Sequence, residues 1–301
     1  MKVPPFLWPG DAVAVINVSK RFDEEEIQTG IARLKKWKLR VLEGPHLYAN
    51  DDPYFGASDE EKLFDIHWAF NHPEVKAIFF ARGGYGVQRL LERIPFEIIQ
   101  KNPKWCIGFS DLTALHQALV CKSIPAIHGP VIKTFPKRET PALEAFRNVL
   151  FGGLPELKWK GGVIKSGKAE GKLIGGNLSL WQSSIDTPFE TKHQDSILFL
   201  EEVGEDFYRV ERMLLHLKRS GRLSGLAGLV FGQFTDCAKG NPPFNDSIEN
   251  VLASLTKELK IPAVMHFPAG HGKDNYPLIL GLPYELKVSQ QMSTLRCTYS
   301  L

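Results

Sequence analysis

Between Ala12 and Ser123 short apolar runs alternate with amphipathic stretches, and this alternation leaves few folds open to the chain. Ala12 to Val18, Leu39 to Leu42, Val75 to Ala81 and Trp105 to Phe109 have the length and the β-branched or aromatic content of strands. The stretches that separate and follow them, Asp23 to Trp37, Asp59 to Phe70, Val87 to Ile94 and Asp111 to Ser123, read as helices. A βαβα order predicts a parallel sheet flanked by helices, because each parallel crossover has to return over the sheet.

The alternation stops after one more helix, Thr140 to Leu150, at the breaker cluster Gly152-Gly153-Leu154-Pro155. Beyond it short strands dominate: Leu157 to Ile164, Ala169 to Leu173, Ile197 to Leu200, Leu226 to Phe231, Leu278 to Leu280 and Tyr284 to Val288. Helices are fewer there, chiefly Phe207 to Lys218 and Ser247 to Leu259. A chain of 301 residues is long enough to bury two cores. The expected fold class is therefore α/β, with a helix-flanked parallel sheet over residues 1–152 and a strand-rich α+β domain over residues 153–301.

Charge and cysteine content narrow the function. The 37 Lys and Arg exceed the 34 Asp and Glu by three and are scattered, so a nucleic-acid partner is not suggested. Cys106, Cys121, Cys237 and Cys297 form no CxxC pair and have no histidine at metal-ligand spacing, so neither a disulfide framework nor a metal site is expected. The N-terminal apolar run lacks the small-residue cleavage site of a signal peptide, and no run reaches the roughly 18 apolar residues of a membrane span. These readings point to a cytoplasmic protein with no membrane partner.

Four segments hold residues able to do chemistry. In Trp105-Cys106-Ile107-Gly108-Phe109-Ser110-Asp111-Leu112 a strand runs into a helix with Ser110 at the turn, where a hydroxyl can enter a crevice and the N–H of Asp111 can bind an oxyanion. Leu112 replaces the second glycine of G-x-S-x-G, and a helix-capping serine is the alternative. Ala81-Arg82-Gly83-Gly84-Tyr85-Gly86 brings backbone amides close to an anion, or is only a tight turn. The strand Ile197 to Leu200 ends in Glu201 and Glu202, which alternation puts on opposite faces, so one of them can orient a histidine; a solvated strand end is the other reading. His271, between Gly270 and Gly272, has the most site-like setting of the nine histidines, followed by His128. Together these segments supply a nucleophile, oxyanion donors, a base and an orienting acid.

The chain resembles the serine peptidase family of bacterial L,D-carboxypeptidases (muramoyltetrapeptide carboxypeptidases) and microcin C immunity peptidases. The resemblance runs over nearly the whole length: Leu7-Trp8-Pro9-Gly10-Asp11, Arg82-Gly83-Gly84-Tyr85-Gly86, Gly108-Phe109-Ser110-Asp111, Gly175-Gly176-Asn177-Leu178, Leu200-Glu201-Glu202, Tyr208-Arg209-Val210-Glu211-Arg212-Met213-Leu214 and Gly270-His271. Asn17-Val18-Ser19-Lys20 departs from the Ala-Pro-Ser-Gly frequent in the family. The resemblance implies a Rossmann-like N-terminal domain, a strand-rich C-terminal domain, a site in the cleft between them, and a homodimer.

It also implies Ser110 as nucleophile, His271 as base, Glu201 as orienter, and the N–H groups of Gly84 and Asp111 as the oxyanion hole, with no metal or cofactor required. The implied substrate is a murein tetrapeptide that loses its terminal D-Ala. A peptidase of this kind must also hold a free carboxylate, for which Arg82, Arg209 and Arg212 are candidates. Two alternatives stay open: an aminoacyl-nucleotide substrate, with Trp181 stacking on a base, and a non-catalytic binder of phosphate or carboxylate.

Overall fold

Five consecutive apolar residues make β1 (Ala12–Ile16), and all five are buried, as the central strand of a doubly covered sheet requires. The computed structural model describes residues 2–300 and divides into two units between Gly153 and Leu154.

In the N-terminal unit β1 is followed by α1 (Glu25–Lys36), β2 (Arg40–Glu43), α2 (Asp59–Asn71) and β3 (Val75–Phe80). Then come α3 (Phe96–Lys101), β4 (Trp105–Gly108), α4 (Thr113–Cys121), β5 (Ala126–His128) and α5 (Pro141–Leu150). The strands pair in parallel in the order β5-β4-β3-β1-β2. Local chemistry starts α2 and α5 where the sequence says it should. Ser58 and Glu61 form a capping box at α2, and the Thr140 hydroxyl accepts the N–H of Leu143 with Pro141 at the first helical position of α5. Ile27, Ile31 and Leu34 give α1 its buried stripe.

The strand order reverses between β1 and β3. In open parallel sheets this switch point, at the carboxyl ends of the strands, is where ligands bind.

The expected helix over Val87 to Ile94 is replaced by two 3-10 turns, Val87–Arg89 and Leu91–Arg93. Pro95 forces Ile94 into an extended conformation, which ends the segment before a regular helix is established. The helix expected from Asp111 starts at Thr113, because the first turn, Ser110–Leu112, is also 3-10.

The C-terminal unit contains β6 (Glu156–Trp159), β7 (Val163–Lys165), β8 (Gly167–Asn177), α6 (Leu178–Gln182) and β9 (Ser196–Val203). It continues with α7 (Phe207–Arg219), β10 (Gly228–Thr235), α8 (Ile248–Thr256), β11 (Ala263–Val264), β12 (Leu278–Leu280), β13 (Pro283–Val288) and β14 (Ser293–Cys297). Its mixed sheet has the order β6-β14-β13-β8-β9-β10-β11-β7. The strands β8, β9, β10 and β11 are parallel, and the outer ones are antiparallel, as expected for a partly antiparallel α+β domain. The run Leu157 to Ile164 is two strands, not one. Gly161-Gly162 interrupts it, and the halves lie at opposite edges of the sheet.

Candidate active site

Each unit builds one half of the expected chemistry. In the N-terminal unit the buried β4 ends at Gly108, the chain extends through Phe109, and Ser110 adopts a φ of 63°. A left-handed conformation costs a residue with a Cβ roughly 1 kcal/mol and recurs where a side chain must be aimed at a site. A capping serine would be extended, with its oxygen accepting an N–H of the next turn. Ser110 has neither property, so the capping alternative is corrected. The turn after β3 comes up against it. A Cβ placed on Gly83 would lie 3.1 Å from Ser110 Cβ and 3.3 Å from its Oγ, so a side chain at 83 would crowd the hydroxyl.

Asp111 explains how these loops are held. Its buried Oδ2 accepts the Ser19 hydroxyl at 2.6 Å and the Val87 N–H at 3.1 Å, tying the loops that follow β1, β3 and β4 together at the switch point. Burial pushes the Asp111 carboxyl above its ordinary range, against hydrogen bonds that pull it down. Behind Ser19, Lys62 is 1% exposed and donates to the Ser19 carbonyl at 2.8 Å; burial pushes its pKa down to about 8. The loop Asn17-Val18-Ser19-Lys20 thus keeps a structural serine, and Asn17 Nδ2 closes it onto the Lys20 carbonyl at 2.9 Å.

In the C-terminal unit β9 lies between β8 and β10 and ends in the two acids. Both are buried, which corrects the solvated strand end, since the terminus of an inner strand is covered by its neighbours. Alternation divides their work. Glu201 Oε2 lies 2.7 Å from His271 Nδ1. Glu202, on the other face, accepts from Asn177 Nδ2 at 2.7 Å and from Ser179 N and Oγ at 2.8 and 2.7 Å, locking the corner from β8 into α6. Burial raises the Glu202 carboxyl despite these bonds.

The His271 loop is set by glycines on both sides. Gly270 has a φ of 126°, and a Cβ there would lie 2.7 Å from Glu201 Oε2. The Gly270 N–H donates to Asn275 Oδ1 at 3.1 Å, and the Gly272 N–H to Gln233 Oε1 at 2.8 Å. With Glu201 as a carboxylate, which only accepts, this contact selects for the neutral imidazole the tautomer with the proton on Nδ1, and in that tautomer Nε2 is the basic nitrogen.

The remaining candidates are placed as follows. Arg82 donates to the carbonyls of Gly83 at 3.0 Å and Arg21 at 2.6 Å. Arg209 is exposed on α7 beside Tyr208 and Glu205, and Arg212 lies over the Tyr208 ring. Trp181 is 6% exposed on α6. His128 is fully buried in β5, edge-on to Phe109. Sequence reasoning passed over Ser19, Lys62, Gln233 and Ser179. Only Ser19 stood in a segment the family pattern singled out, and a lysine amid the apolar positions of α2 gives no sign of facing inward. Among the described residues no group of three or more His, Cys, Asp or Glu side chains could hold a metal ion, and no helix is long and apolar enough to cross a membrane.

Comparison with known proteins bears on both halves. The family model described as the LD-carboxypeptidase N-terminal domain matches residues 13–129, and that of the LD-carboxypeptidase C-terminal domain matches residues 170–286. The chain is 32% identical over 305 residues to a probable murein peptide carboxypeptidase of Bacillus subtilis, covering 99% of this chain and 95% of the relative. The crystal structure of a muramoyltetrapeptide carboxypeptidase from Oxalobacter formigenes superposes with a TM-score of 0.88 at 30% identity, covering 96% of this chain and 100% of that one. MccF in complex with glutamyl sulfamoyl guanosine superposes with a TM-score of 0.88 at 20% identity, over 99% of each chain, a likeness of fold alone.

Proposed function

The chain belongs to the LD-carboxypeptidase family of peptidases, and on that premise we propose that it releases the terminal D-Ala of a murein tetrapeptide by hydrolysing an L,D-amide bond through a Ser110 acyl-enzyme. The observation that carries the serine mechanism is the left-handed backbone of Ser110, which a mere cap would not need, against a glycine turn that leaves Oγ uncrowded.

In this mechanism His271 Nε2 takes the Ser110 proton as Oγ attacks the carbonyl carbon of the L-residue. Glu201 holds the imidazole through the 2.7 Å bond to Nδ1 and stabilises the cation that forms. The N–H groups of Gly84 and Asp111 receive the tetrahedral oxyanion, each such donor contributing about 3 kcal/mol in comparable sites. The imidazolium returns its proton to the leaving amine of D-Ala. Water, deprotonated by the same histidine, then adds to the ester, and collapse of the second tetrahedral intermediate frees Ser110.

The aminoacyl-nucleotide alternative has less support, because Trp181 offers little ring face to a base. The reading includes action in the cytoplasm and a homodimer, the latter measured by sedimentation. Its test is D-alanine release from disaccharide tetrapeptide, followed by mass spectrometry. Release by the wild type and none by Ser110→Ala is expected; equal release by both would overturn the serine mechanism, and release by neither the substrate assignment.

A further inference from the structure

We propose that the basic cleft beside the serine turn receives the free α-carboxylate of the leaving residue, with Lys20 and Arg82 as the groups that bind it. The proposal rests on the peptidase reading and gives it a specificity site. The cleft has a volume of about 410 Å³ and is lined by loops of the N-terminal unit, among them Lys20, Arg21, Arg82 and Lys133 with the acids Asp23 and Glu26. Two of the four cations are already matched: Arg21 lies 3.6 Å from Asp23, and Lys133 pairs with Glu26. Among the described residues neither Lys20 nor Arg82 has a carboxylate within ion-pair distance. Arg82 spends two of its five N–H donors on main-chain carbonyls, and Lys20 Nζ lies 4.7 Å from the centroid of the Tyr54 ring. The cleft therefore carries two positive charges that its own acids do not balance.

Position makes a carboxylate the fitting anion. The carboxylate carbon of a terminal residue is three bonds from the scissile carbonyl carbon, at most roughly 4 Å away. Its cation must therefore belong to the immediate surroundings of the nucleophile. Arg82 adjoins Gly83, whose Cβ position is 3.3 Å from Ser110 Oγ, and the Lys20 stem lies 3.0 Å from the Cβ position of Gly84. Both residues follow strands that flank the switch point, β1 and β3, and so share the binding edge of the sheet. Arg209, by contrast, is engaged on the α7 surface with Glu205 and Tyr208.

The test compares kcat/KM for a tetrapeptide ending in free D-alanine with that for the same peptide ending in D-alaninamide, in the wild type, Lys20→Gln and Glu26→Gln. The wild type is expected to prefer the acid by about tenfold or more, the usual scale of one charge-assisted contact. Lys20→Gln should lose most of that preference through a higher KM for the acid, whereas Glu26→Gln, which frees Lys133, should increase it. Damage to the fold would lower both substrates together and leave the ratio where it was. A wild type indifferent to amidation, or an unchanged ratio in Lys20→Gln, overturns the cleft proposal while the peptidase reading stands. Hydrolysis of neither peptide by the wild type removes both.

Discussion

Replacing Gly270 with alanine should uncouple Glu201 from His271 with both residues left unsubstituted. The φ of 126° at this position is open to glycine and costs a residue with a side chain about 1–3 kcal/mol. The new methyl would also sit 2.7 Å from Glu201 Oε2 and 3.0 Å from Glu201 Cβ, well inside ordinary contact distance, and Cβ is too near the backbone to move freely. The carboxylate then has to swing away from Nδ1, and a bond of 2.7 Å does not survive such a shift. Strain and the lost charged hydrogen bond together come to about 3 kcal/mol, or roughly 6–12 °C in the melting of the C-terminal unit. Turnover should fall by about 10²–10⁴, the scale of losing an orienting acid. The assay pairs scanning calorimetry with kcat for Gly270→Ala, Glu201→Gln and the double variant. Because both changes break one link, the double variant should be no slower than the slower single variant. Wild-type kcat in Gly270→Ala, or losses that multiply in the double variant, would refute the reasoning.

Two further outcomes follow from the N-terminal unit. Lys62 is held near pKa 8 in the fold against an ordinary 10.5, so between these values the unfolded chain binds a proton that the folded one does not, and stability should rise with pH. Urea titrations at pH 7.5 and 10 should show the wild type gaining about 2–3 kcal/mol relative to Lys62→Met; parallel behaviour of the two would contradict the buried charge. Ser110→Gly should remove left-handed strain and raise the melting temperature of its unit by about 2 °C while abolishing turnover, whereas a lower melting temperature would contradict the strain.

The sequence made the strand-and-helix alternation legible because buried strands such as β1 and β4 are runs of apolar residues and helices such as α1 and α5 carry an apolar stripe. It also singled out the segments to which the proposal assigns the chemistry, since Ser110, Glu201 and His271 stand where strands end or glycines crowd. What stayed hidden was tertiary in origin. Nothing local marks Val87 to Arg93 as 3-10 until Pro95 and the Asp111 bond to the Val87 N–H are set beside it. Strand β5 is only three residues long, too short for any periodicity. Glu202 reads as a surface acid because its partners, Asn177 and Ser179, lie more than twenty residues away in the chain. The left-handed turn at Ser110 has no signature either, since serine is not a residue that usually adopts it.

The claim on which the rest depends is that Ser110 is a nucleophile activated by His271. The most direct measurement is the mass of the protein after exposure to a fluorophosphonate, with the modified residue located by peptide mapping, in the wild type, Ser110→Ala and His271→Ala. One adduct on Ser110 in the wild type, none in Ser110→Ala, and labelling slowed by orders of magnitude in His271→Ala is the expected result. An adduct at another serine, or a Ser110 that labels as fast without His271, would contradict it.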